Sequence, residues 1–197
     1  MKKLLLTLVI LMFGFVGYVN AYSIDFAADA STSKVILGGT TTSSSWFGSG
    51  TLTAPLATLL ETPFILAEGE SKELDFFSLN MDGRGIFGGG FTIAATLGFS
   101  KPVVGSVTDS GSGLWGSALG KVSGGYLKWS NMPTSFTFDG GKMLIAFEEG
   151  FFTGPEAMIH ATVTNNSPAP VPEPSTFLLL AGGLAGLAFI ARRRKNS

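Results

Sequence analysis

The most apolar stretches of this chain lie at its two ends, and that distribution limits what can fold in water. One uncharged run covers residues 4–19, behind Lys2 and Lys3. A second covers residues 177–191, ahead of Arg192, Arg193, Arg194 and Lys195. Runs of this kind flanked by cations are addressed to a membrane rather than to a water-soluble core. A globular fold must therefore come from the roughly 145 residues between them, enough for a single core without disulfides. Cysteine is absent, which excludes a disulfide framework, a cysteine–histidine zinc site and a thiol nucleophile.

At the N terminus the two lysines, the apolar run and the triplet Val19-Asn20-Ala21 have the layout of a secretory signal peptide. Residues 1–21 are expected to be removed by signal peptidase between Ala21 and Tyr22. At the other end residues 167–175 form a proline-rich linker that cannot become helix. Residues 176–191 follow as an expected transmembrane helix. Fifteen helical residues span about 23 Å of a roughly 30 Å hydrocarbon core. Ser175, Thr176 and the aliphatic stems of the arginines make up the difference. The basic residues 192–197 mark the cytoplasmic side, which leaves the domain outside the inner membrane, in agreement with the signal peptide.

Pro172-Glu173-Pro174, a short apolar helix and the cluster Arg192, Arg193, Arg194, in that order within about 25 residues, resemble the PEP-CTERM sorting signal of Gram-negative bacteria. The resemblance implies an exosortase-type membrane protease that cuts near Pro172-Glu173-Pro174 and discards the tail. It implies a transient inner-membrane intermediate and a destination at the cell surface or in the extracellular matrix, in association with exopolysaccharide. It implies nothing about what the domain binds.

The expected domain, residues 22–166, holds seven basic and thirteen acidic residues, a net charge of −6. It has no basic stripe to meet phosphates, so nucleic acid is not expected as a partner. Its pattern is that of β-strands. Phe91, Ile93, Ala95, Leu97 and Phe99 fall on one face of an extended segment, and Ile159, Ala161 and Val163 alternate with polar neighbours in the same way. Shorter runs occur at 23–27, 34–37, 46–53, 72–79, 126–129, 135–138 and 142–147. Turn clusters such as Ser110-Gly111-Ser112-Gly113 and Gly140-Gly141 are read as separating them. Eight to ten short strands predict an all-β fold, a single β-sandwich or jelly-roll-like domain. The one helical segment expected inside it is 55–60, with Pro55 in its first turn.

Motifs that carry chemistry are sparse. Gly83-Arg84-Gly85-Ile86-Phe87-Gly88 has dinucleotide-binding spacing but leads into a strand rather than a helix, so it reads as a turn. His160, the only histidine, reads as a solvated strand residue. Glu148 and Glu149 are neighbours expected to point to opposite faces. Glu68, Glu70, Glu73 and Asp75 read as a charged loop before a strand. Asn165-Asn166-Ser167 fits a glycosylation sequon, with Pro168 behind it. No catalytic residue, metal site or cofactor is expected.

Three functions stay open. The first is an exported, non-catalytic surface or matrix protein. The second is a carbohydrate-binding module that stacks sugars on exposed aromatics, Trp115 and Trp129 foremost among Trp46, Tyr22 and Tyr126. The third is a secreted β-sandwich polysaccharide-active enzyme, which would need a cleft gathering His160 with carboxylates. End-group analysis of the processed protein is expected to find Tyr22 first; a chain that begins at Met1 or Lys2 refutes cleavage after Ala21.

Overall fold

Period-two alternation is carried through into strands along almost the whole domain. A computed structural model describes residues 23–58, 62–118 and 122–168, together with Gly182, Gly183 and Gly186. The signal peptide with its Ala21–Tyr22 junction lies outside the described residues, as do Pro172, Glu173, Pro174 and Arg192, Arg193, Arg194. Of the expected transmembrane helix, only the three tail glycines are described; they carry helical backbone. Ser23–Pro168 is one compact unit.

That unit is all β. Its strands are β1 (Ile24–Gly39), β2 (Thr42–Ser45), β3 (Gly48–Thr53), β4 (Phe64–Leu66), β5 (Ser71–Gly85) and β6 (Phe87–Lys101), then β7 (Gly105–Ala118), β8 (Val122–Trp129), β9 (Thr134–Phe138), β10 (Gly141–Phe147), β11 (Gly150–Thr153) and β12 (Glu156–Asn165). They form two six-stranded antiparallel sheets that curl over one another as a sandwich. The first has the order β11-β8-β7-β6-β1-β4 and the second β2-β3-β5-β12-β10-β9. Four strands are 14 to 16 residues long, longer than the short runs expected.

The hydrophobic faces meet in an aromatic layer. Phe77 and Phe147 of the second sheet pack on Trp129 of the first, and Phe76 packs on both of those phenylalanines. Trp129 stands edge-on to Phe77 at 6.5 Å and to Phe147 at 5.1 Å between ring centroids. Phe76 lies 5.2 Å from Phe77 and 4.9 Å from Phe147. Offset and edge contacts of this kind add to the gain from burial. Further along, Phe99, Leu97, Ile145, Val163 and Leu79 are fully buried.

Phe76 and Phe77 are both buried because β5 bulges there. His160 pairs with Asp75 while Ile159 pairs with Phe77, so Phe76 is the extra residue. The freed backbone is taken up by the segment after β3. Ala57 N donates to Phe76 O, Ser78 N donates to Pro55 O, and Leu56 bridges Phe77. The helix expected at 55–60 is therefore absent from its described part, residues 55–58: Pro55, Leu56 and Ala57 run alongside β5, which offers them hydrogen-bond partners, and Thr58 is in a turn. Leu59 and Leu60 lie outside the described residues.

The second correction is β7. Ser110, Gly111, Ser112 and Gly113 are mid-strand, not a turn. Gly113 pairs with Phe91 on β6, and a Cβ there would strike Tyr126 O and the Phe91 ring. The glycine is what lets the ring lie across the strand. The Gly83 to Gly88 segment is the passage from β5 in one sheet to β6 in the other, with no helix behind it. Gly85 has φ +82°, and a side chain there would meet Phe47 O.

Truncating Trp129 to Ala removes the ring that joins the two sheets. It is expected to cost about 3–5 kcal/mol in denaturant unfolding, whereas Lys128→Ala, one residue away and exposed, is expected to stay within about 0.5 kcal/mol.

Candidate functional site

His160 sits on the outer face of the second sheet, where β5 and the connection after β10 bring three carboxylates to it. Cross-strand pairing sets Asp75 opposite it on β5, with Glu73 two residues away on the same face. Glu148 reaches it from the connection after β10. His160 Nδ1 lies 2.6 Å from Glu148 Oε2, and Nε2 lies 3.3 Å from Asp75 Oδ1 and 4.0 Å from Glu73 Oε1. The solvated histidine expected at this position is thus an ion-paired one, its side chain 29% exposed. Desolvation of the ring opposes the charged form. The hydrogen bond and charge of Glu148, with the charges of Glu73 and Asp75, outweigh it and raise the pKa above its ordinary value.

The cluster lies on a sheet face rather than in a cleft. A groove of about 310 Å³ includes Glu73 and Asp75 in its lining, with Thr62, Pro63, Phe64 and Lys72, but His160 does not line it. Among the described residues, no group of three or more His, Asp or Glu side chains is arranged to hold a metal ion.

Glu148 and Glu149 diverge, although they stand in a connection rather than in a strand. Glu148 N donates to His160 O, and His160 N donates back to Glu148 Oε2 at 3.1 Å. Glu149 turns to the other sheet and accepts from Trp129 N at 3.1 Å, while Trp129 Nε1 donates to Glu148 O at 2.9 Å. The pair is a clasp at the point where the chain changes sheets.

The sugar-stacking platform expected at Trp115 and Trp129 is not at the surface. Both side chains are 4% exposed. Trp115 faces inward against Phe87, at 5.7 Å between centroids, and its Nε1 donates to Thr40 O at 2.6 Å. Strand parity is the cause: Trp115 shares its face with Gly111, Gly113 and Ser117, and Trp129 shares its face with Leu127. Trp46 is fully exposed at the tip of the β2–β3 hairpin, and Tyr22 lies outside the described residues. Asn165 is fully buried: its Nδ2 donates to Leu66 O and its Oδ1 accepts from Ser167 N. The sequon asparagine is thus a structural residue.

Aromatic surface appears instead on the outer face of the first sheet. Gly90, Leu114, Tyr126 and Phe151 stand opposite one another across β6, β7, β8 and β11. Leu114 is 64% and Phe151 88% exposed. The Tyr126 and Phe151 rings are 4.9 Å apart and tilted by 51°. An open cleft of about 550 Å³ is lined by Leu114, Tyr126 and Phe151 together with Phe87, Trp115, Ser117 and Phe152 of the inward parity. It therefore wraps the end of the sheet and is not confined to the outer face. Sequence reasoning named Tyr126 but missed Leu114 and Phe151. The signal was present: Tyr126 shares strand parity with Lys128, which belongs on a wet face, and Phe151 follows a glycine in a short run.

Residues 170–195 match the family model of the PEP-CTERM protein-sorting motif. No curated protein and no solved structure matches the chain. The motif supports an exported protein processed by an exosortase-type membrane protease.

The raised pKa of His160 sets the sign of a pH effect. Stability from the cluster is fully present below the histidine's ordinary pKa of about 6.5 and is lost as pH rises through the raised folded value. His160→Gln is therefore expected to lower the melting temperature more at pH 5.5 than at pH 8.5. The stability difference at the lower pH is expected to be about 0.5–1 kcal/mol, since the carboxylates are half-exposed and screened. An equal gap at both pH values rejects the ion-pair account.

Proposed function

We propose that the chain is an exported, non-catalytic protein of the cell surface or extracellular matrix that associates with exopolysaccharide. The sorting motif at residues 170–195 carries the reading. It supports passage through a membrane-anchored intermediate to the surface. The signal peptide at 1–21 would start that route, and the exosortase cut near Pro172-Glu173-Pro174 would finish it. The acidic domain suits a surface that meets water, ions and sugars.

The surroundings of His160 support the absence of catalysis. A general base must present a ring nitrogen to its substrate. Here Glu148 stands at Nδ1, and Asp75 and Glu73 stand at Nε2. The same cluster is what a polysaccharide-active enzyme would start from. That alternative would require His160 to act on a substrate at an exposed sheet face, which offers little exclusion of water.

Glu173 carries the test of sorting. Pro172 and Pro174 hold an extended backbone, which lowers the ordering cost of docking in a protease groove. Glu173 supplies a carboxylate that a basic pocket can read. Glu173→Gln preserves shape and removes only the charge. In host cells that process the wild type, the variant is expected to stay uncut and in the membrane fraction, with mass including the tail. Equal release of the two forms, or equal full-length retention, counts against recognition of this carboxylate.

A further inference from the structure

We propose that the outer face of the first sheet is a binding surface for a neutral polysaccharide chain, with Tyr126 and Phe151 as its stacking residues. The inference deepens the exopolysaccharide association proposed above, and rests on it, by naming the surface and the ligand chemistry.

The face is built in rows. Leu114, Tyr126 and Phe151 form one continuous strip across three adjacent strands. On one side the next row is Gly88, Gly116 and Gly124, ending in Thr153. It has almost no side chains, so the strip is bordered by a flat backbone floor. On the other side lie Thr92, Ser112 and Lys128, all exposed. A sugar ring presents an apolar C–H face and a rim of hydroxyls that both donate and accept. Aromatic faces, which are electron-rich, meet the first. Short hydroxyl side chains and an ammonium meet the second.

Charge and area choose among occupants. The strip itself carries no charge, and a domain at −6 repels a polyanion. A second copy of the chain fits poorly. Three side chains offer roughly 500 Å² at most, against about 800 Å² per partner in a stable protein pair. The adjoining edge strand β11 has only four residues with which to extend a sheet.

The test is native affinity electrophoresis of the full chain in mild detergent. The gels contain laminarin, galactomannan or polygalacturonate. Retardation by at least one of the two neutral glycans is expected. Tyr126→Ser and Phe151→Ser, each checked for an unchanged melting temperature, are expected to weaken it about tenfold or more. Phe151→Trp should keep it, and so should Ile36→Ser, an exposed change on the same face away from the strip. The proposal is overturned by no retardation in either neutral glycan, by equal retardation of the serine variants, or by retardation in polygalacturonate alone. It is equally overturned if sedimentation equilibrium shows a dimer that Phe151→Ser dissociates. None of these outcomes bears on Glu173, so sorting can stand where glycan binding fails.

Discussion

The two sheets are held in register at Trp129, and much of the domain depends on how that one residue is satisfied. Its ring belongs to the first sheet but spends its surface on Phe77 and Phe147 of the second. A buried indole must also find a partner for its N–H. Here the partner is Glu148 O, and the Trp129 backbone N–H is met by the Glu149 carboxylate. Both acceptors sit in the connection by which the chain leaves β10 and crosses to β11. Hydrophobic joining of the sheets and one of the covalent crossings between them therefore coincide. The same connection delivers Glu148 to His160, so the ion cluster on the outer face is anchored to the core through a single dipeptide.

Glycine does the complementary work. Large rings in the interior need room, and β7 supplies it with glycines at the inward positions. Gly113 lies against Phe91, Gly111 against Trp129 and Ile93, and Gly105 at the end of the strand against Phe136. A core of this kind is close-packed although one wall has few side chains. The outward positions of the same sheet are also rich in glycine, serine and threonine, and that leaves Leu114, Tyr126 and Phe151 prominent on a low surface. One compositional habit thus produces a filled interior and an uncluttered exterior.

This habit also explains how far the fold could be read in advance. Alternation was legible wherever apolar and polar residues trade places, as at 91–99, 142–147 and 158–164. The Gly140-Gly141 turn was legible too, and its Asp139-Gly140 pair closes the β9–β10 hairpin with Phe138 opposite Gly141. Alternation was illegible in β7, because Ser110 to Gly113 carries the composition of a turn while its spacing is that of a strand whose bulk is provided by other residues. The bulge at Phe76 was hidden for a different reason: two adjacent phenylalanines do not say which face each takes until β12 fixes the register. Trp115 and Trp129 were assigned by type, as aromatics that stack on sugars, when parity with Leu127 and Lys128 already separated inside from outside. The carboxylates around His160 come from β5 and from beyond β10, separations that no local spacing reveals. The sorting motif was legible because its signal is local: prolines, an apolar run and arginines in fixed order.

The end of the domain is fixed by contacts that lie before the sorting motif. Asn165 is fully buried, and its side chain ties β12 to Leu66 at the end of β4. Ser167 is buried as well; its Oγ accepts from Lys142 N and donates to Lys142 O. Asn166 N also donates to Lys142 O. The backbone is thus pinned through residue 167 by contacts made wholly within the sandwich, several residues before Pro172. A cut at Pro172-Glu173-Pro174 would break none of these hydrogen bonds. The sequon-like Asn165-Asn166-Ser167 serves as a lock at the border between domain and linker. The hydrogen bonds that close the domain therefore all lie upstream of the motif at residues 170–195.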